Sequence, residues 1–242
     1  MSYYKIQDLE QYFKHYKKSV REPRKFWSKI AEENFVWYQA WDKVFEFDMQ
    51  KGDIKWFVDG KLNITRNCID RHIPKRGDKV AIIFEPNNPE EDSLELTYSE
   101  LYKRVAKTAN VLKAQGIKKG DRVCIYLPMI PELAITMLAC ARIGAIHSVI
   151  FAGFSAAAIK TRVDDCQAKM VITSDGGFRG AKVMKIKEVV DEAIVDSPSV
   201  EKVLIVKRTN EPITFNEGRD LWFDELYNQA EDAHVAEIMD SE

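Results

Sequence analysis

The sequence predicts an α/β fold, a parallel sheet with helices on both faces, preceded by a helical aromatic arm. Three observations predict it. Between Asp121 and Ser174, three short apolar runs alternate with two helical patterns. Strands joined by helical crossovers run parallel, with right-handed connections and helices packed on the faces. Further apolar runs, KVAIIFE and VEKVLIV, flank that unit, and the first fifty residues are crowded with aromatic and charged side chains.

In the arm, Ile6, Leu9, Tyr12, Phe13 and Tyr16 recur at three- and four-residue steps, the spacing of an amphipathic helix. Tyr3, Tyr4 and the aromatics from Phe26 to Phe47 share its character, and Pro23 suits the start of a second helix, RKFWSKIAEE. Interleaved acidic residues argue against a surface for single-stranded nucleic acid. The aromatics instead predict a segment clamped onto a larger domain. IKWFVDG reads as a strand ending in an Asp-Gly turn. LNITRNCIDRHI reads as a helix capped by Asn63. KVAIIFE is then a buried strand, and the acidic loop PNNPEEDS leads to Thr97 and Glu100, a capping-box pattern before Leu101, Val105, Ala109 and Leu112.

The central unit begins with the strand RVCIYL. Pro131 opens the helix ELAITMLACARI, where a missing N–H costs nothing, and Gly144 closes it. AIHSVIF is the second buried strand, Ser155 caps AAAIKTRVDD, and KMVITS is the third strand. The loops after the three strands emerge at the carboxyl edge, where open α/β sheets bind ligands. A basic helix start at Lys185 and Lys187 and a further strand, VEKVLIV, follow. DLWFDELYNQAEDA reads as a helix with Leu221, Trp222, Leu226 and Tyr227 inward. No closing element follows AEIMDSE.

Composition excludes several functions. The 242 residues carry 36 Lys and Arg against 38 Asp and Glu, so no global field draws the chain to nucleic acid or an anionic membrane. Cys68, Cys124, Cys140 and Cys166 form no C-x-x-C pair and read as buried thiols in a reducing compartment. No signal core or membrane-length apolar run is present, which predicts a cytoplasmic protein. A catalytic constellation is not legible: there is no metal spacing of His and Cys, no G-x-S-x-G and no H-E-x-x-H. His15 and His234 fall on expected surface helices, His147 inside a strand, and His72 near a helix end. No catalytic or metal-ligating residue is assigned.

The strongest local signal is DGGFRGAK. Glycines 176, 177 and 180 let backbone N–H groups approach an anion, and Arg179 and Lys182 can point at one phosphate cluster. It is not a nucleoside-triphosphate P-loop, which needs G-K-[ST] where this chain has Gly180-Ala181-Lys182-Val183. A solvent-exposed basic turn is the competing reading. Phe151-Ala152-Gly153-Phe154, on a loop expected beside it, makes a flat slot for a purine, or else packs at a strand end.

LNITRNCIDRH, LTYSELYKRVAKTANVLKAQGIKKGDRV, PMIPELAITMLACARIGAIHSVIFAGFS and ITSDGGFRGAK resemble the acetyl-CoA synthetases of the adenylate-forming superfamily, over essentially the whole chain. The resemblance implies a ligase that joins acetate to CoA through an acetyl-adenylate, consuming ATP with magnesium and releasing AMP and pyrophosphate. It implies that residues 1–60 are the N-terminal arm and residues 61–242 the first part of the AMP-binding domain. It also implies a CoA site at Arg179, Gly180, Ala181, Lys182, Phe151, Ala152 and Gly153. Lys182 stands where relatives often carry Arg, which keeps the charge and loses the bidentate fork. The family's TSGSTGKPKG-type loop for ATP phosphates does not occur. The chain is therefore expected to be an N-terminal portion, inactive alone and self-associating through a surface that the remainder would cover. Its partners are expected to be small molecules, with neither nucleic acid nor membrane. The alternatives are a stand-alone, non-catalytic CoA- or nucleotide-binding or regulatory module, and part of a propionyl-CoA synthetase.

Overall fold

A computed structural model describes residues 6–242; Tyr3 and Tyr4, counted above among the arm's aromatics, lie outside the described residues. The chain divides into two compact units, residues 1–67 with 238–242, and residues 68–237.

The first unit opens with α1 (Leu9–Arg21), capped by the Asp8 carboxylate on the Gln11 N–H, and α2 (Pro23–Asn34), which starts on its proline as predicted. The apolar stripe on α1 is real, and Leu9, Tyr12, Phe13, Tyr16 and Val20 all stay exposed. A further aromatic cluster comes from α2, the irregular segment 35–42 and a hairpin, β1 (Lys43–Asp48) and β2 (Asp53–Val58). Trp37, Trp41 and Phe57 pack with ring centroids 4.8–5.5 Å apart, and Phe45 meets Trp56 at 5.0 Å. The arm is thus not wholly helical. The predicted turn at Asp59-Gly60 leads into β3 (Lys61–Leu62), which pairs antiparallel with Met239–Asp240, so the tail does supply a strand. Asn63 takes the Thr65 N–H as a cap should, but the helix it starts, α3 (Ile64–Cys68), ends after five residues.

In the second unit a 3-10 turn at Asp70–His72 and α4 (Ile73–Arg76) take up the rest of the predicted helix. KVAIIFE becomes β4 (Val80–Phe84), which pairs with β5 (Leu94–Thr97) in a two-stranded sheet; it is half-exposed and not the buried strand predicted, since Val80 and Ile83 face solvent. Thr97 and Glu100 close both hydrogen bonds of the capping box on α5 (Tyr98–Ala114). Five parallel strands follow: β6 (Arg122–Tyr126), β7 (Ile146–Val149), β8 (Met170–Ser174), β11 (Lys202–Val206) and β12 (Asp220–Trp222), in the order β12-β11-β8-β6-β7. Between them run α6 (Pro131–Arg142), α7 (Ala156–Cys166), a small hairpin of β9 (Gly177–Arg179) and β10 (Lys182–Met184), and α8 (Ile186–Ile194). The last helix is α9 (Phe223–Gln229). Asp220–Trp222 is therefore an edge strand and not the helical turn predicted for it, and β7 is the other edge, with Ile146 and Val149 exposed and not buried as predicted.

Alternation along the strands sorts the core into two layers. Val123, Ile125, Met170, Ile172 and Leu204 face α5, α6 and α9, while Cys124, Val171, Val203 and Ile205 face α7 and α8. Helices thus cover both faces, as the apolar runs predict. Cys124 and Cys140 are buried, and burial pushes both thiols up to about 12; Cys68 is exposed, against the expectation of four buried thiols. His234 lies in an irregular segment, not a helix, where its carbonyl accepts from Arg142 at 2.6 Å. No described helix is long and apolar enough to cross a membrane.

Candidate functional site

The carboxyl ends of β6, β7 and β8 open into a cavity of about 650 Å³. Its wall is mainly aliphatic and aromatic, with Phe84, Leu127 to Ile130, Ile150, Phe151 and Phe178, and its polar groups include Asn87, Arg179 and Arg208. Phe151, Ala152 and Gly153 line it together with Arg179, so the two predicted loops do reach one rim. They do so across a gap: β6 lies between β7 and β8, and the strands bearing these loops are not neighbours as expected. The loop that fills the gap, Pro128-Met129-Ile130, follows β6 and lines the same cavity.

Phe151 is exposed, 67% of its surface remaining open, and its ring meets Phe154 edge-on at 5.9 Å. A Cβ on Gly153 would lie 2.8 Å from the Phe151 ring, so glycine is what lets the ring fold back over its own loop. The Tyr126 hydroxyl donates to the Phe154 carbonyl at 2.9 Å and ties that loop to the central strand.

DGGFRGAK is not a loose glycine-rich loop. Asp175, Gly176 and Gly177 are buried, and the Gly176 N–H is spent on the Asp175 carboxylate, so the first two glycines serve packing inside the fold. A Cβ on Gly176 would meet Thr209 at 2.4 Å, and one on Gly177 would meet Ile186 at 2.7 Å. The remainder forms the β9–β10 hairpin. Its two-residue turn is Gly180-Ala181, with positive φ (60°) at the first position only, the pattern that calls for glycine there. Arg179 and Lys182 are directly opposite across the ladder, which sends their side chains to one face. Both are exposed, and neither has an ion-pair partner among the described residues. Gly180, Ala181 and Lys182 stand at the hairpin tip, outside the cavity wall that Arg179 joins.

Residues the sequence reading missed surround the hairpin. Arg208, just past β11, donates both Nη groups to Glu91 at 2.6 and 2.7 Å, and those bonds hold the Glu91 carboxyl below its ordinary range. Asn87 Nδ2 donates to the Gly180 carbonyl at 3.1 Å. No local pattern marks Arg208 and Glu91, which are 117 positions apart.

An open parallel sheet with a ligand-sized cavity at its carboxyl edge is the arrangement of a nucleotide-handling enzyme domain. The chain belongs to the AMP-binding enzyme family, whose model matches residues 69–239. A second model, described as the acetyl-coenzyme A synthetase N-terminus, matches residues 12–68. Among curated relatives, the chain is 49% identical to an acetyl-coenzyme A synthetase of Magnetococcus marinus over 96% of its own length, and 47% identical to one of Halorhodospira halophila over 97%. It spans 36% of the length of each. Its fold matches that of an acetoacetyl-CoA synthetase from Streptomyces lividans with a TM-score of 0.82, over 92% of this chain and 33% of that one, at 24% identity.

Proposed function

We propose that the chain supplies part of the CoA site of an AMP-forming acetate–CoA ligase, one that makes acetyl-CoA, AMP and pyrophosphate from acetate, ATP and CoA. The observation that carries this reading is the cross-strand pair Arg179 and Lys182, two cations without an acidic partner among the described residues, beside a cavity rimmed by Phe151, Ala152 and Gly153. A phosphate monoester is the ligand such a pair favours, since charge-assisted bonds to it are the stronger kind. An apolar, aromatic-walled cavity next to it suits an adenine and an uncharged chain. Gly180 and Ala181 would hold the two cations in register; Phe151 would offer its face to the base, with Ala152 and Gly153 keeping the approach open.

No group of three or more His, Cys, Asp or Glu side chains that could hold a metal ion occurs among the described residues. The part proposed for this chain is binding and orientation of CoA. The test is calorimetric titration of CoA into the wild type and into the double variant Arg179→Ala, Lys182→Ala. Weaker binding by the double variant is expected, by about tenfold or more for two charged contacts. Equal binding would refute the assignment. Release of pyrophosphate on adding acetate and ATP to this chain alone would refute the purely binding role.

A further inference from the structure

The acidic stretch PNNPEEDS, between β4 and β5, has no part in that reading, yet one of its side chains reaches the hairpin that bears the cations and another reaches Arg208 beside it. Asn87 holds the Gly180 carbonyl at the turn. Glu91 grips Arg208 through both Nη groups. The Arg208 guanidinium lies 5.2 Å from the centre of the Phe178 ring and 6.0 Å from that of Phe84. Phe178 directly precedes Arg179 in β9. The backbone of Arg208 is fixed as well. Its N–H donates at 2.7 Å to the buried Asp175 carboxylate, which also accepts from Gly176, Thr209 and Asn210.

The hairpin needs such support. Its strands are three residues each, it joins no larger sheet, and a two-stranded ribbon of that size is marginal alone. Its ladder also sets two like charges opposite one another, which costs stability. An anion site on it is only as well placed as the contacts that hold it.

We propose that Arg208, held by Glu91, and Asn87 are positioning residues for this hairpin: Arg208 supports Phe178 and so sets Arg179 at the cavity, and Asn87 tethers the turn between the two cations. Arg208 spends its fork on Glu91 and does not itself take the phosphate. This inference rests on the reading of the hairpin as the seat of the CoA 3′-phosphate, and it gives the acidic loop a role in selecting ligands that carry that group.

The test compares CoA with 3′-dephospho-CoA in the wild type, Arg208→Lys, Glu91→Gln and Asn87→Ala, by calorimetry with thermal melts in parallel. The wild type is expected to prefer CoA. Arg208→Lys keeps the charge and loses the fork; it and Glu91→Gln are expected to cut that preference by at least about threefold, with dephospho-CoA binding nearly unchanged, as coupled neighbours do. The loss should vanish in an Arg179→Ala background. A preference that survives in Arg208→Lys, Glu91→Gln and Asn87→Ala, even with lowered melting temperatures, would make the bracket a purely structural tie and overturn the proposal. A wild type with no preference for CoA would instead overturn the underlying site reading, and the proposal with it.

Discussion

At Gly153 a single hydrogen decides where an aromatic ring can lie. The backbone there has no left-handed φ, so alanine is tolerated locally, but its methyl would meet the exposed edge of Phe151 at 2.8 Å. The ring is free to swing into solvent, so it should move before the main chain does. Gly153→Ala is therefore expected to change stability by no more than about 0.5 kcal/mol. It should weaken CoA binding by about two- to tenfold, the worth of one aromatic contact. Unchanged affinity in that variant would mean the ring takes no part in binding. Asp175 makes the opposite case. It reads in the sequence as the first residue of an anion loop, yet its carboxylate is spent on four backbone N–H groups. A carboxylate at the end of a buried strand finds donors in its neighbours long before it meets solvent, and three of the four donors, on Arg208, Thr209 and Asn210, lie more than thirty positions along the chain.

Among the elements, α8 carries the costliest side chain. Lys187 is fully buried and bonds Asp191 at 2.7 Å, Asp220 at 2.8 Å and the Thr214 carbonyl at 3.2 Å. Arg219 completes the cluster on both acids. Burial alone would raise the Asp220 carboxyl, but Arg219, the Asn216 N–H and Lys187 outweigh it and hold it below the ordinary range. Lys187→Ala would leave two acids sharing one cation and is expected to cost about 3–5 kcal/mol, measurable by urea unfolding. A loss below 1 kcal/mol would mean that water enters and relieves the acids. The sequence suggests only a basic helix start at this lysine, because Asp220 on β12 and Thr214 in the loop before it are invisible to local spacing. The parallel unit was legible for the converse reason. Pro131, Gly144 and Ser155 punctuate it within a few residues of the boundaries they set, and the buried strands are continuous apolar runs. β1, β5 and β12 were not legible: they are short and mixed in polarity, and pairing with a neighbouring strand, not their own composition, makes them strands. Of the candidate site, the charged and aromatic residues could be read from the sequence, but the hairpin and the Glu91–Arg208 bracket could not.

Over the whole molecule, two histidines of the larger unit set a pH dependence. Burial lowers the pKa of His147, and burial followed by the nearby Arg142 lowers that of His234. The fold therefore prefers both imidazoles neutral, and the unfolded chain binds protons first as the pH drops below about 6.5. Stability should be full at pH 7–8, decline through pH 6, and level off below the folded values. Melting temperatures from pH 8 to 5 would check this, with a flatter profile expected for His147→Gln; an equally steep profile in that variant would remove His147 from the account. The pairing of Lys61–Leu62 with Met239–Asp240 has a consequence of its own. Domains generally form in the order they leave the ribosome. Here residues 68–237 of the second unit are all made before Met239 and Asp240 can pair with β3. The smaller unit, whose residues start first, therefore closes its β3 ladder only after the larger one has its residues.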